Sequence, residues 1–252
     1  MEIQIDQLKV DLAGINILQS IDLHVKSKQF VALLGPNGSG KSTLLKSVYR
    51  VLKPIKGEIS IDNQSIKSFS SKELAKQLSV VSQFQLFAFD FTVEEVVQTA
   101  RIPHKKYLQK DTDYDKEIVL NALEKTGLIS LKDKKITALS GGEKQRLALA
   151  RAIAQEADVM ILDEPSNHLD IKYQMEVLST IKRMNVTVLT ALHDLSLAAK
   201  YCDYIYFIKK GRIVYHGSID EVLTKEIIQD VYEVDCEVFR HPTTQNICIS
   251  YY

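Results

Sequence analysis

The feature that most constrains the fold is a glycine-rich segment between an apolar run and an amphipathic stretch, Gly35-Pro36-Asn37-Gly38-Ser39-Gly40-Lys41-Ser42. The apolar run over residues 29–34 is typical of a buried parallel strand. Apolar residues after Ser42 recur at near-helical spacing and predict a helix over residues 42–52. A strand, a glycine loop and a helix in this order predict the phosphate-binding loop of a nucleotide-binding α/β fold.

The residue types of this loop suit a phosphate ligand. Glycines let backbone N–H groups turn toward phosphate oxygens, and the start of the following helix adds a positive dipole. We expect Lys41 to reach the β- and γ-phosphates, Ser42 to bind Mg²⁺ and Thr43 to add a hydroxyl at the α-phosphate. A glycine turn without a ligand is the alternative, and the flanking strand and helix argue against it.

Composition narrows the class of protein. The chain has 252 residues, with 32 Lys and Arg against 32 Asp and Glu, so it lacks the basic excess of a nucleic-acid-binding protein. No apolar run approaches the roughly 18–20 residues that span a bilayer. The N-terminus lacks a basic region and an apolar signal core, so we expect the chain to stay in the cytosol.

The order of strand, loop and helix patterns along the sequence predicts an α/β fold of the P-loop NTPase type, with a mixed sheet core and a helical subdomain. Capping-box patterns predict helix starts after Ser70, Thr92, Ser140 and Ser218. We expect one domain over residues 1–252, with a helical insertion at about 85–155 and a small C-terminal extension at about 231–252. Further strands are predicted at residues 159–162, 186–190, 204–208 and 213–215.

Two adjacent acids, Asp163 and Glu164, follow the apolar strand over residues 159–162. A carboxylate at such a strand end lies beside the phosphate loop in a doubly wound sheet. We expect Asp163 to hold Mg²⁺ and Glu164 to orient and polarise the attacking water. A solvated turn is the alternative interpretation of two such acids.

The segment Ser140-Gly141-Gly142-Glu143 fits a capping box, although a cap needs no glycines. The two glycines instead favour a helix start whose backbone a ligand can approach closely. Together with the phosphate loop, the acid strand and the flanking segments, this element makes the chain resemble the nucleotide-binding subunit of an ATP-binding-cassette (ABC) transporter. The resemblance runs from about Ile3 to Leu223.

The resemblance implies an ATPase that uses ATP and Mg²⁺. It implies that Gln83 senses Mg²⁺ and the attacking water and contacts the membrane partner, and that His193 contacts the γ-phosphate. Family members usually stack an aromatic residue on adenine, and the matching position here is Leu12. An aliphatic side chain gives apolar contact without stacking, a difference of about 0.5–1.5 kcal/mol.

The resemblance also implies partners. Residues 140–143 would contact ATP held by a second copy of the chain in a head-to-tail dimer. A separate membrane permease, served by a substrate-binding protein, would receive the motion, which places the chain at the cytoplasmic face of the membrane. The candidate docking surface surrounds residues 83–91, and the alternative is that its aromatic residues fill the core of the insertion: Phe84, Phe87, Phe89 and Phe91.

The transported ligand is the least constrained part of the interpretation. Residues 100–104, Ala-Arg-Ile-Pro-His, resemble a Gly-Arg-x-Pro-His stretch of importers for iron–siderophore, haem and cobalamin, with Ala100 in place of Gly. We therefore expect import of a chelated-iron ligand. A zinc or manganese importer, a non-transport ATPase of the same superfamily and a regulatory nucleotide binder are the alternatives.

Overall fold

A computed structural model describes residues 1–82, 90–106, 108–167 and 169–252. The chain forms two compact units. The first combines Met1–Ser68 with Asn185–Tyr252, and the second is Phe69–Met184.

The first unit contains an antiparallel sheet of four strands: β1 (Ile3–Leu12), β2 (Ile15–Val25), β4 (Lys56–Ile61) and β5 (Gln64–Ser65). Their order in the sheet is β2-β1-β4-β5. In β1, Ile3 and Ile5 are buried, and so are Leu8 and Val10, as expected for a strand with one face on the core. A register shift between Ile5 and Leu8 interrupts the alternation.

The first unit also contains four strands in a mixed parallel and antiparallel arrangement: β3 (Phe30–Leu34), β8 (Thr187–Ala191), β9 (Tyr204–Lys209) and β10 (Arg212–Ser218). Strand β3 pairs in parallel with β8 on one side and β9 on the other, while β9 pairs antiparallel with β10. All five residues of β3 are buried, as the apolar run predicts.

Helices and a C-terminal hairpin complete the first unit: α1 (Lys41–Val48), a 3₁₀ turn (Ile66–Ser68), α7 (Leu195–Tyr201), α8 (Ile219–Val222), α9 (Lys225–Tyr232), β11 (Cys236–Arg240) and β12 (Ile247–Tyr251). Helix α1 is shorter than the predicted residues 42–52. It ends because Arg50 adopts φ 62°, and the N–H groups of Val51 and Leu52 then donate to the carbonyl of Lys46.

In its described residues, the second unit combines two parallel strands with five helices. Its strands and helices are β6 (Leu78–Val81), β7 (Val159–Asp163), α2 (Ser71–Gln77), α3 (Val93–Gln98), α4 (Asp113–Lys125), α5 (Gly141–Ala154) and α6 (Ile171–Met184). Its 3₁₀ turns are Thr99–His104, Ile129–Leu131 and Ile136–Ala138. Between residues 92 and 151, the described part of the chain forms helices and loops, with one isolated bridge joining Thr92 to Lys135.

The predicted capping boxes are confirmed at the starts of α2, α3, α5 and α8. A further box at Thr112 and Asp115 begins α4. It escapes the sequence pattern because Asp replaces the usual Glu or Gln at the third helical position. Within the described ranges, no helix combines the length and apolarity that crossing a membrane requires.

Candidate nucleotide-binding site

The glycine loop joins β3 directly to α1. Gly35 and Gly40 both have positive φ, 146° and 110°. A Cβ atom at Gly35 would lie 2.0 Å from the carbonyl oxygen of Ile208, and one at Gly40 would lie 2.7 Å from Cδ2 of Leu18. Both positions therefore require glycine by backbone conformation and by space.

Lys41 folds back over its own loop. Its buried ammonium donates to the carbonyl oxygens of Gly35 at 2.6 Å and Pro36 at 3.1 Å. The hydroxyl of Ser39 is buried without a hydrogen-bond partner among the described residues. Because Gly40, the N-cap of α1, has no side chain to cap the helix, the helix start is open to an outside acceptor. These features fit a phosphate group.

His193 lies at the same edge of the first unit as the loop. Strands β3 and β8 are parallel, with Leu33 opposite Ala191, so Gly35 and His193 both follow the carboxyl ends of neighbouring strands. Ligands of α/β sheets bind at that edge. His193 is exposed, whereas Asp194 caps α7 by accepting two backbone N–H groups at 2.7 and 3.0 Å. The nucleotide role of His193 stays a prediction.

Sequence reasoning missed the contacts that hold the phosphate loop from the C-terminal third of the chain. The N–H of Gly211, in the turn between β9 and β10, donates to the carbonyl of Ser39 at 3.0 Å. The N–H of Gly35 donates to the hydroxyl of Tyr232 at 2.9 Å. No local pattern signals these partners, because more than 170 residues separate the members of each pair.

Leu12 ends β1 at a hairpin turn made by Ala13 and Gly14, with φ 50° and 82°. Leu12 is 38% exposed and Ile15, its strand partner, is 65% exposed. The hairpin therefore presents two apolar side chains to solvent. The prediction that Leu12 contacts adenine is untested.

The second unit holds the predicted acids. Asp163 is the last residue of β7 and is 3% exposed. Glu164 follows with φ 55°, and the amide of Asn167 donates to its Oε2 at 2.9 Å. Carboxylate oxygens are ligands that Mg²⁺ prefers, so Asp163 has the right chemistry for the predicted metal role. Gln83, predicted as a further Mg²⁺ residue, lies outside the described residues.

The Ser140–Glu143 segment forms the predicted start of α5. The N–H of Ser140 donates to the Glu143 carboxylate at 2.7 Å, and the N–H of Glu143 donates back to the Ser140 hydroxyl at 3.3 Å. The hydrogen bonds from Ser140 lower the pKa of Glu143, so this carboxylate stays charged at the helix start.

The two glycines of this segment have no packing reason among the described residues. A Cβ atom at Gly141 would meet nothing within 4 Å, and one at Gly142 would make an ordinary contact of 3.4 Å with Leu169. Their presence is therefore better explained by a ligand or partner that approaches the backbone. One turn further along α5, Gln145 donates to the carbonyl of Pro165 at 3.1 Å, which ties the helix to the loop that follows Asp163.

Residues of the Ala100–His104 stretch hold the far end of α5. The buried Arg101 guanidinium donates to the Asp115 carboxylate at 3.0 Å and to the carbonyl of Ala154 at 2.9 Å. The His104 ring bonds the carbonyl of Gln155 at 2.8 Å. The stretch that suggested a transport group from sequence thus has a structural role in the second unit.

The predicted docking surface falls largely outside the described residues, which exclude Phe84, Phe87 and Phe89. Phe91 is described and is 41% exposed, and its carbonyl accepts the N–H of Ile136 at 3.0 Å. The docking prediction therefore remains open.

Comparison with known proteins identifies the family. Residues 18–167, more than half of the chain, match the model of the ABC transporter family. The petrobactin import ATP-binding protein of Bacillus anthracis is 39% identical over 88% of this chain and 84% of its own length. The iron(3+)-hydroxamate import ATP-binding protein of Bacillus subtilis is 33% identical over 98% of this chain and 93% of its own.

Similar solved structures belong to ABC transporters as well. A metal-chelate type ABC transporter in an inward-facing conformation is 25% identical with a TM-score of 0.84, covering 99% of this chain and 96% of its own. A dimeric ATP-binding cassette in a post-hydrolysis state, with ADP and Pi bound, is 27% identical with a TM-score of 0.76, covering 86% and 98%. The chain therefore belongs to the ABC transporter family of ATP-binding-cassette ATPases.

Proposed function

We propose that this chain is the ATPase subunit of an importer for a chelated-iron ligand, such as a siderophore or haem. The observation that carries the proposal is similarity to a subunit named for iron(3+)-hydroxamate import. The similarity covers nearly the whole length of this chain and of that subunit. Similarity of this extent covers the segments outside the ATPase motifs as well as the motifs themselves.

The phosphate loop binds the triphosphate of ATP. Gly38 and Gly40 let backbone N–H groups of the loop turn toward it, Lys41 meets the β- and γ-phosphates, and Thr43 contacts the α-phosphate. Leu12 lies against the adenine. Support comes from the required glycines at both ends of the loop and the orphaned Ser39 hydroxyl within it.

Hydrolysis would draw on Mg²⁺ and on side chains of this chain. Ser42, Asp163 and Gln83 would hold the Mg²⁺, which would neutralise charge on the phosphates. Glu164 accepts a proton from the attacking water, and His193 contacts the γ-phosphate. The bond from Asn167 supports the role of Glu164, because it holds one oxygen of the carboxylate in a fixed position.

A second copy of the chain completes each site. Ser140, Gly141, Gly142 and Glu143 of one copy contact the γ-phosphate bound by the other, so two copies close head-to-tail over two ATP molecules. The unexplained glycines at the start of α5 and the dimer with ADP and Pi among the similar structures support this assembly. Loss of the γ-phosphate then removes the shared contacts and lets the copies separate.

The dimer passes this motion to a separate membrane permease. The chain therefore works as a peripheral subunit at the cytoplasmic face of the membrane, and a substrate-binding protein delivers the ligand from the other side. Residues around Gln83 to Phe91 form the docking surface. Replacing Phe87 with aspartate should abolish permease binding and leave basal hydrolysis intact, whereas normal permease binding would move the surface elsewhere.

Gene deletion tests the ligand. A strain without this gene should grow poorly on a siderophore or haem as sole iron source, and the wild-type gene should restore growth. The Glu164→Gln variant should fail to restore it, since transport needs hydrolysis. A deletion strain that instead required added zinc or manganese and used chelated iron normally would favour the divalent-metal importer, and co-purification with ribosomes or DNA would favour a non-transport ATPase.

A further inference from the structure

Helix α9 reaches the phosphate loop through one side chain. The N–H of Gly35, the first residue of the loop, donates to the hydroxyl oxygen of Tyr232 at 2.9 Å. Tyr232 is the last residue of α9, and 197 positions separate it from Gly35. Gly35 is buried, so its N–H needs a partner within the protein.

The entry of the loop has little freedom on its other side. Gly35 has φ 146°, and its α-carbon packs so closely on the backbone of β9 that a Cβ would lie 2.0 Å from the carbonyl oxygen of Ile208. The backbone of β9 therefore limits where the loop can begin, and the hydrogen bond to Tyr232 fixes the orientation of its first peptide group.

The Tyr232 hydroxyl is itself held in place. The ring packs edge-on against Phe207 of β9, with centroids 6.4 Å apart at 82°. Two buried residues of α9, Ile228 and Val231, anchor the helix in the first unit. Lys209 of β9 pairs with Glu233, just after the helix, at 3.4 Å. These contacts hold the Tyr232 hydroxyl at a fixed position beside β9, so the hydroxyl and the N–H of Gly35 stay bonded only while the loop keeps its position.

Burial raises the pKa of the Tyr232 phenol well above its ordinary range. The hydroxyl therefore stays neutral around pH 7, where it accepts the hydrogen bond from Gly35.

We infer that Tyr232 is a positioning residue for nucleotide binding, which acts through Gly35 to hold the phosphate loop in its binding conformation. The inference rests on the proposed binding of ATP by this loop. Without the hydroxyl, the buried Gly35 N–H has no acceptor. The first peptide group of the loop then changes its orientation to reach another hydrogen-bond partner. Only the fraction of molecules with a correctly shaped loop then binds, and the apparent dissociation constant rises in proportion.

The test compares two tyrosine-to-phenylalanine variants. Tyr232→Phe removes the acceptor and keeps the ring. Tyr206→Phe is the matched control, because its buried hydroxyl also bonds backbone, at the N–H and carbonyl of His24, away from the loop. Both variants should lose similar stability in urea unfolding. Titration calorimetry with ATP should show affinity reduced about tenfold in Tyr232→Phe and unchanged in Tyr206→Phe.

Steady-state hydrolysis separates positioning from a general structural defect. Tyr232→Phe should raise KM for ATP about tenfold with kcat within about twofold of wild type, since the bound loop still adopts the working conformation. Equal ATP affinity in wild type and both variants would overturn the inference and leave the proposed function intact. Absence of ATP binding by the wild-type chain would overturn both.

Hydrogen exchange gives a second measurement that does not depend on a variant folding. In the wild-type protein without nucleotide, the Gly35 amide should exchange slowly, like the core strands, while the exposed Gly38 amide exchanges fast. Fast exchange at Gly35 would mean that the bond to Tyr232 is not maintained, and the inference would fall.

Discussion

Replacing Arg101 with methionine should destabilise the second unit strongly. The Arg101 guanidinium bonds Asp115 at 3.0 Å, the carbonyl of Ala154 at 2.9 Å and Glu156 at 2.9 Å. The side chains of Arg101 and Asp115 are only 4% and 7% exposed, whereas that of Glu156 is 42% exposed. The cost should therefore come from the Asp115 pair and the helix-end carbonyl, and little from Glu156.

The magnitude follows from what remains buried. Removing one partner of a buried ion pair costs about 3–5 kcal/mol, because the other charge stays without compensation. Asp115 keeps the hydrogen bonds that it accepts from the hydroxyl and N–H of Thr112, at 2.6 and 3.0 Å. We therefore expect a loss near the lower end, about 3 kcal/mol.

Urea unfolding followed by circular dichroism measures the loss. Lys116→Met is the matched control, since Lys116 pairs on the same helix with the exposed Asp113 and should leave the unfolding midpoint nearly unchanged. Adding Asp115→Asn to Arg101→Met should recover part of the loss, because no buried charge then lacks a partner. If Arg101→Met proved as mild as Lys116→Met, the assignment of a structural clamp at the end of α5 would be wrong.

The penalty should also depend on pH. Hydrogen bonds from Thr112, aided by Arg101, hold the pKa of Asp115 well below its ordinary value. A carboxyl whose pKa is lower in the folded than in the unfolded protein stabilises the fold above its unfolded-state pKa of about 4. That stabilisation is lost as pH falls through the folded-state pKa. Without Arg101 the folded pKa is less depressed, so Asp115 protonates sooner in acid. The stability difference between wild type and Arg101→Met should therefore shrink below about pH 4, and a constant difference would contradict the charge argument.

Three predictions concern the nucleotide. Glu164→Gln should keep ATP binding, lose about 10²–10⁴-fold in turnover and trap an ATP-bound dimer in size-exclusion chromatography, while normal turnover by a monomer would exclude Glu164 as the base. Lys41→Ala should weaken ATP binding in calorimetry, because it removes the ammonium at the loop, and unchanged affinity would argue against this loop as the phosphate site. Leu12→Tyr should tighten ATP binding modestly by adding a stacking ring, worth about 0.5–1.5 kcal/mol, and identical affinities in both forms would show that Leu12 does not contact the base.

Local patterns predicted much of this fold because they record interactions between near neighbours. The apolar run before Gly35 became a fully buried strand, and four capping boxes marked helix starts correctly. Helix α1 ended four residues before the predicted end, because Arg50 adopts a left-handed backbone conformation. The spacing of the leucines does not predict that conformation.

The candidate site divides in the same way. The glycine loop, the acids at the end of β7 and the cap at Ser140 are contiguous segments, so their places in the fold were predictable from sequence, while their roles toward ATP stay predictions. The roles of Arg101 and His104 were not, since the stretch around them matched a family pattern without revealing which groups it contacts. The structure shows that Arg101 bonds the last carbonyl of α5, that of Ala154, and that His104 bonds the next carbonyl, that of Gln155.

The sequence by itself determined the family, the α/β class and the residues that form the glycine loop between β3 and α1, because the order and spacing of short motifs specify them. Only the tertiary structure decided what holds that loop in place. The hydroxyl of Tyr232 and the N–H of Gly211 reach it from the C-terminal third of the chain. Such contacts arise when distant strands pair, and the spacing of residues along the chain carries no record of which strand ends meet.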